Sequence, residues 1–161
     1  MAKRIEEQLG GLMKVKNLTL AVAESCTGGL VGHTITQVGG SSDYFLGGVI
    51  AYSNSSKINI LGVKNAVLRR HGAVSKKVAS AMAEGVKRIF NADIGLSTTG
   101  IAGPSGGSKS KPVGLVYVGL AGEGKTITAK YGFKGTRHAI KTRATKAALA
   151  MLCKYVRAEF K

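Results

Sequence analysis

The chain has few of the residues that build disulfide frameworks, metal sites or membrane spans. Its 161 residues include no tryptophan, two prolines and two cysteines. Cys26 and Cys153 form neither a CxxC pair nor a zinc-ligand spacing, so we expect no disulfide and no zinc site. We also expect no cofactor. No apolar run approaches the ~20 residues of a membrane span, and the first residues lack the apolar segment of a secretory signal. These absences predict a cytoplasmic protein with reduced thiols and no membrane partner.

Acidic residues are also scarce, because 8 Asp and Glu stand against 24 Lys and Arg and give a net charge of +16. Such a charge attracts nucleotides, phosphorylated metabolites or nucleic acid. A solvated basic surface without a ligand is the alternative. The tyrosines and phenylalanines are not interleaved with basic residues as in single-strand binders, and no helix-turn-helix, zinc-finger or RNA-binding signature occurs. We therefore expect a small anionic ligand, with nucleic acid as the less favoured partner.

Helix and strand patterns alternate along a chain whose length suits a single domain over residues 1–161. Residues 75–90 carry apolar side chains at spacings of three and four, which predicts a helix, and Gly122-Glu123-Gly124 predicts a hairpin turn. The predicted elements are helix 2–14, strand 18–23, helix 30–38, strand 44–52, helix 55–61, helix 75–90, strand 92–98, strands 114–121 and 125–133, and helix 136–160. This order predicts an α/β fold with a mixed sheet covered on both faces.

One small-residue turn is a candidate for a nucleophile. The apolar run Leu18–Val22 leads into Ala-Glu-Ser-Cys-Thr-Gly-Gly at 23–29, and a helix is predicted to follow. Ser25 would stand at a strand end, where the unpaired N–H groups of the next helix can stabilise an oxyanion. Many such turns only reverse the chain, so the local pattern leaves catalysis and a purely structural role both open.

Two literal motif matches lack the structural context that their chemistry needs. Residues 119–126 fit GxxxxGKT, but an alternating β-branched segment follows where a P-loop requires a helix. We therefore predict a hairpin with Lys125 as a surface charge. Residues 108–111 fit SxxK, but they fall in a predicted Gly-rich loop instead of the helix on which that pair works.

A second polar segment follows the predicted strand 44–52. Tyr52 and Lys57 approach Ser25 if this strand neighbours the strand that precedes the serine. A desolvated lysine is neutral often enough to accept a proton from a serine hydroxyl. The alternative is an exposed Lys57 on a short helix and Tyr52 as a core aromatic.

Several motifs then occur in one order and resemble a known family. They are AESCTGG at 23–29, YSNSSK at 52–57, HGAVS at 71–75, TTGIAGPSGG at 98–107, KPVGLVYVG at 111–119, and FKGTR followed by Arg143. From about Leu9 to Leu152 the chain closely resembles the C-terminal domain of CinA, the competence-damage-inducible protein, a family that includes the nicotinamide-nucleotide amidases. The resemblance implies a three-layer α/β/α sandwich with a mixed, mostly parallel sheet, a C-terminal hairpin and a long final helix.

The resemblance also implies a reaction, the hydrolysis of nicotinamide mononucleotide to nicotinic acid mononucleotide and ammonia without a metal. By motif, Ser25 is the nucleophile and Lys57, helped by Tyr52, moves the proton. We expect the N–H groups of the turn to hold the oxyanion and contact the substrate, namely those around Cys26, Thr27, Gly28 and Gly29.

Further residues are expected to bind the substrate phosphate. Thr98, Thr99 and Gly100 begin a segment with backbone amides and hydroxyls to offer, and Arg137 and Arg143 each lie three residues from Ile140. Arg143 is preferred because it matches the family's arginine. Thr136 stands where relatives commonly have Asp; it can cap a helix but cannot pair with a charge.

We further expect a homo-oligomer. Two other functions remain open at this stage, a catalytically silent nucleotide- or nucleic-acid-binding module and, less favoured, a P-loop nucleotidase.

Overall fold

Five strands form one mixed sheet in the computed structural model, which describes residues 3–160. Their spatial order is β2-β1-β3-β4-β5. In chain order the elements are α1 (Ile5–Lys16), β1 (Leu20–Glu24), α2 (Leu30–Thr36), a 3-10 turn (Ser41–Asp43), β2 (Phe45–Ile50), α3 (Asn54–Asn59), α4 (Asn65–His71), α5 (Lys76–Phe90), β3 (Ile94–Gly100), β4 (Leu115–Ala121), β5 (Thr126–Gly132) and α6 (Arg137–Glu159).

Strand directions confirm a mixed, mostly parallel sheet. β1 pairs in parallel with β2 on one side and with β3 on the other. β4 is antiparallel to both β3 and β5, so it alone runs against the other strands. The carboxyl ends of β1, β2 and β3 therefore meet at one end of the sheet, which we call the cavity end.

Helices cover both faces of the sheet, which confirms the three-layer sandwich. One core joins α1, α2 and α6 to the sheet, with Leu9, Val31 and Ile140 fully or almost fully buried. The other core lies under the segment from α3 to α5 and includes Leu68 and Met82. Because β1 lies between β2 and β3 and is covered on both faces, all its residues are buried.

The boundaries differ from the predicted ones at a few places. α4 was not predicted, because its N-cap, Lys64, makes no side-chain capping bond and only Leu68 of the helix is buried. The first helix spans Ile5–Lys16 and ends where Asn17 adopts a left-handed conformation with φ 52°. Its predicted start at residue 2 lies outside the described residues.

The hairpin between β4 and β5 confirms that residues 119–126 are not a P-loop. Ala121 pairs with Thr126, and the Gly122 N–H donates to the Lys125 carbonyl over 3.0 Å. A strand thus follows the glycines, so no helix N-terminus faces a phosphate position there.

The described residues 3–160 contain no helix long and apolar enough to cross a membrane. Within the same range, no three His, Cys, Asp or Glu side chains are grouped so that they could hold a metal ion.

Candidate active site

A cavity of about 280 Å³ opens at the cavity end of the sheet. The connection from β1 to β2 passes through α2 on one face, and the connection from β2 to β3 passes on the other face. In α/β folds a crevice forms where connections diverge in this way. The lining residues are Ser25, Cys26, Tyr52, Asn54, Lys57, Ala73, Val74, Thr99, Gly100, Ile101, Ala102, Gly103, Ser105, Gly106 and Arg137.

The turn that carries Ser25 is fixed by backbone and carboxylate bonds. The Ser25 N–H donates to the Thr98 carbonyl over 3.0 Å, which holds the serine against the end of β3. The Glu24 carboxylate accepts the Thr27 hydroxyl at 2.6 Å and the N–H groups of Gly29, Val31 and Gly32 at 2.8–3.0 Å. Glu24 therefore anchors the turn and caps α2 with a charge opposite to the positive end of the helix dipole.

Lys57 is buried directly against the serine, with 1% of its surface exposed. Its Nζ lies 3.1 Å from Ser25 Oγ and donates to the carbonyls of Ala51 at 2.8 Å and Tyr52 at 3.2 Å. No carboxylate pairs with Lys57 in residues 3–160, and burial lowers its pKa below the ordinary 10.5. The structure thus replaces the alternative of an exposed lysine with a buried amine beside a hydroxyl.

The two carbonyls also decide how this amine is oriented. A neutral amine has two N–H donors and one lone pair, whereas an ammonium has three donors. Because the Ala51 and Tyr52 carbonyls accept two N–H bonds, the lone pair of a neutral Lys57 faces Ser25 Oγ. This arrangement can remove the proton from the serine hydroxyl.

Cys26 lines the cavity next to the serine but is a poor nucleophile. Burial raises the pKa of its thiol to about 12. Since the thiolate is the reactive form of cysteine, the side chain stays a protonated, mostly buried neighbour near neutral pH.

Not all the backbone N–H groups expected at the oxyanion are free. The Gly28 N–H donates to the Ser25 carbonyl at 3.2 Å, and the Gly29 N–H donates to Glu24 at 3.0 Å. Their positive φ angles of 59° and 98° make the turn between β1 and α2. These glycines shape the turn, which leaves the N–H groups of Cys26 and Thr27 as the candidate oxyanion donors.

Tyr52 and Arg137 meet at the mouth of the cavity. Tyr52 is 60% exposed, so it is not a core aromatic, and its hydroxyl accepts from Arg137 Nη2 at 2.8 Å. Arg137 Nη1 donates to the Gly103 carbonyl at 2.7 Å. Lys57 hydrogen-bonds the backbone carbonyl of Tyr52, whereas the phenol bonds Arg137. The phenol is therefore placed to orient Arg137, and its expected help to the lysine stays a prediction.

The remaining predicted ligands divide into those that line the cavity and those that support it. Thr99 and Gly100 line it, and Thr99 Oγ1 donates to the Ala73 carbonyl at 2.8 Å. Thr98 is buried behind it and shares a 2.7 Å hydrogen bond with Thr27. Thr98 and Thr27 therefore hold the turn in place.

Arg143, the preferred phosphate ligand in the sequence, lies outside the cavity lining. Its guanidinium donates to the Lys134 carbonyl. Arg137 takes the position expected for it because it starts α6 at the cavity end. Thr136 caps this helix by accepting the Ala139 N–H at 3.3 Å, as its sequence position suggested.

Two polar lining residues were missed, Asn54 and Ser105. Both lie within segments that the sequence already marked, at 52–57 and 98–107. In these segments the sequence predicted roles for Tyr52, Lys57 and residues 98–100, and not for Asn54 or Ser105.

Comparison with known proteins identifies the family of the chain. A family model described as the CinA C-terminal domain matches residues 2–156. The chain belongs to the CinA C-terminal domain family. A Moorella thermoacetica relative is 50% identical over 155 residues, covering 96% of this chain and 37% of that protein. A CinA-like protein of Thermotoga maritima is 47% identical, with 96% and 38% covered. This CinA domain thus spans under two fifths of those relatives' length.

Solved structures share the CinA fold over nearly the whole chain. A competence damage-inducible protein A from Klebsiella pneumoniae superposes with a TM-score of 0.93 at 29% identity, covering 98% of this chain and 97% of that one. The competence/damage inducible protein CihA from Agrobacterium tumefaciens gives 0.89 at 34% identity, with 98% and 99% covered.

The SxxK match at 108–111 has a structural role in this CinA domain. Ser108 and Lys111 bond to each other's backbone in a loop, and Lys111 Nζ donates to the His71 carbonyl at 2.6 Å. The loop is thereby tied to the end of α4, and neither side chain lines the cavity.

Proposed function

We propose that this CinA domain is an amidase that hydrolyses the carboxamide of nicotinamide mononucleotide to nicotinic acid mononucleotide and ammonia. The observation that carries the proposal is the buried Lys57 Nζ, 3.1 Å from Ser25 Oγ and without a carboxylate partner among residues 3–160. A hydroxyl beside an amine of lowered pKa is the arrangement that activates a serine without histidine.

In the first half of the reaction, neutral Lys57 takes the proton of Ser25 as Oγ attacks the carboxamide carbon. The N–H groups of Cys26 and Thr27 face the oxyanion that forms. Lys57, now an ammonium, donates its proton to the amide nitrogen, the C–N bond breaks and ammonia leaves. The product of this half is an ester between Ser25 and the nicotinoyl group.

In the second half, water replaces the serine. Lys57 accepts a proton from the water as its oxygen attacks the ester carbon, and then returns a proton to Ser25 Oγ as the acid leaves. Amide and water are thus converted to acid and ammonia with no net change in the enzyme.

Substrate charge is matched by Arg137, whose guanidinium lines the cavity mouth. Arginine binds phosphate in a planar, two-pronged geometry. The chain resemblance to a family that includes nicotinamide-nucleotide amidases supports a mononucleotide over an uncharged amide.

An ammonia-release assay tests the proposal. We expect wild-type protein to release ammonia from nicotinamide mononucleotide and much less from nicotinamide riboside, which lacks the phosphate. A Ser25→Ala variant with an unchanged circular dichroism spectrum should release none. Wild-type protein that turns over no pyridine nucleotide would refute the amidase.

A further inference from the structure

The charge of the molecule is unevenly distributed between its two ends. Among the eight acids, only Glu24 lies at the cavity end, where it is buried and caps α2. Asp43 and Asp93 precede the amino ends of β2 and β3, and Glu123 lies in the β4–β5 hairpin. Glu159 pairs with Lys125 beside that hairpin at 2.6 Å. These four acids mark the opposite end of the sheet.

The other three acids are also remote from the cavity mouth. Glu84 lines a depression shared with the β4–β5 hairpin. Glu6 and Glu7 pair with Arg4 at the start of α1. The neighbouring Ile5 carbonyl lies 4.0 Å from Cys153 Sγ of α6. Cys153 is more than four helical turns from Arg137, the first residue of α6 at the cavity end, so the start of α1 is remote from the cavity.

A group of exposed cations lies beside the cavity where α4 ends and α5 begins. The connection between these helices contributes Ala73 and Val74 to the cavity lining. Five exposed cations lie on its two sides and on the neighbouring loop that Lys111 ties to α4. We call them the basic face: Arg69, Arg70, Lys76, Lys77 and Lys109. None of them forms an ion pair within residues 3–160.

Helix stability does not account for this placement. α5 starts with Lys76 and Lys77, and α6 starts with Arg137; neither helix has an acid in its first turn. Cations are disfavoured at the positive end of a helix dipole. Both helices thus direct extra positive charge to the cavity end, where it attracts anions.

A mononucleotide bound in the cavity would not use the basic face. Arg137 lines the cavity, whereas the five cations of the basic face lie beside the cavity and outside its lining. A row of unpaired cations over two helix ends and a loop fits a ligand with regularly repeated phosphates. We propose that the basic face binds nucleic acid through its phosphates, without sequence preference. This binding rests on charge placement and does not depend on the amidase.

The binding is tested with fluorescence anisotropy of a labelled 20-nucleotide single strand titrated over a range of salt. The basic-face variant carries four substitutions, Arg69→Gln, Arg70→Gln, Lys76→Gln and Lys77→Gln. A matched control of equal net charge removes four exposed lysines elsewhere, Lys3→Gln, Lys130→Gln, Lys146→Gln and Lys154→Gln. Circular dichroism verifies that both variants fold.

We expect the basic-face variant to bind at least about tenfold more weakly at 0.1 M salt and the slope of log affinity against log salt to fall by about 2 to 3. The control variant should stay within about twofold of the wild type. Ser25→Ala should bind like the wild type, so loss of amidase activity does not decide this test.

Three results would overturn the proposal. One is equal weakening of both variants, which would mean that only net charge matters. Another is no binding by the wild type at micromolar concentration. The third is a loss confined to binding of anionic phospholipid vesicles, measured in parallel, which would assign the basic face to membranes.

Discussion

Lys57 lies beside the turn at 23–29 and Lys125 lies beside the turn at 122–124, and the two lysines differ in burial and in ion pairing. Lys57 is 1% exposed, lies 3.1 Å from Ser25 Oγ and has no carboxylate partner in the described chain. Lys125, in the GxxxxGKT sequence, has a side chain that is 47% exposed and pairs with Glu159. Burial lowers the pKa of Lys57. Lys57, which belongs to no standard lysine motif, is therefore better placed for catalysis than Lys125 of the GxxxxGKT sequence.

The difference shows that context, not the letters of a motif, determines what a lysine can do. Residues 122–124 form a hairpin turn between two strands, and Lys125 after this turn faces solvent. Lys57 lies on α3, the short helix after β2, and its side chain points into the protein. An exposed ion-paired lysine contributes little to stability. A desolvated one is able to act as a base.

The largest effect on activity should come from removing the Ser25 hydroxyl, which lies beside Lys57 and has no counterpart beside Lys125. Ser25→Ala should reduce kcat by at least about a thousandfold, since the nucleophile is lost. Cys26→Ala should stay within a few fold of wild type because burial raises the pKa of that thiol to about 12. Steady-state ammonia release measures both, and a Cys26 variant as inactive as the Ser25 variant would contradict the assignment.

Replacing each lysine in turn is the next largest contrast. Lys57→Met should lower kcat by about a hundredfold or more, as general bases contribute 10²–10⁴. Lys125→Met should leave kcat and KM within about twofold, because it removes only an exposed ion pair with Glu159 and a contact with the Tyr155 ring, both outside the cavity lining. Thermal melts check that both variants fold, and equal losses in the two would remove the distinction.

A smaller difference in activity is expected between variants of Arg137 and Arg143. Arg137→Met should raise KM for the mononucleotide about tenfold with a smaller change in kcat, because a charge-assisted hydrogen bond is lost. Arg143→Met should not change KM, since that guanidinium bonds the Lys134 carbonyl outside the cavity. The reverse ranking in initial-rate kinetics would restore Arg143 as the phosphate ligand.

The smallest effect is expected at Tyr52. Tyr52→Phe removes the hydroxyl that accepts from Arg137 but keeps the backbone carbonyl that orients Lys57. We expect KM to rise about threefold with kcat unchanged, as for one partly exposed hydrogen bond. A large fall in kcat at saturating substrate would show that the phenol takes part in proton transfer.

Much of the fold could be predicted because its patterns are local. The buried run at 18–23, the helix at 75–90 and the hairpin turn all follow from periodicity and turn residues, and the structure confirms them. α4 could not be predicted, because it has no capping side chain and no apolar stripe.

The sequence placed several lining residues of the candidate site, among them Ser25, Lys57 and Arg137, but it missed Asn54 and Ser105 and did not give the geometry. Arg137 and Arg143 lie three residues on either side of Ile140, about 120° apart around the helix, so helical periodicity places both beside the apolar face and does not choose between them. Six residues of helix separate them by about 9 Å along the axis, and only the fold decides which one reaches the cavity. The bonds of Glu24 to backbone N–H groups are likewise invisible in the sequence, and they remove Gly29 from the candidate oxyanion donors.

The pH dependence of kcat/KM tests the role of Lys57 most directly. The neutral amine is the active form, so activity should rise with pH through the pKa of Lys57, which lies below 10.5. Lys125→Met should follow the same curve, and Lys57→Arg should be inactive at every pH because a guanidinium does not deprotonate. A rising limb that persists in Lys57→Arg would contradict the assignment of Lys57 as the base.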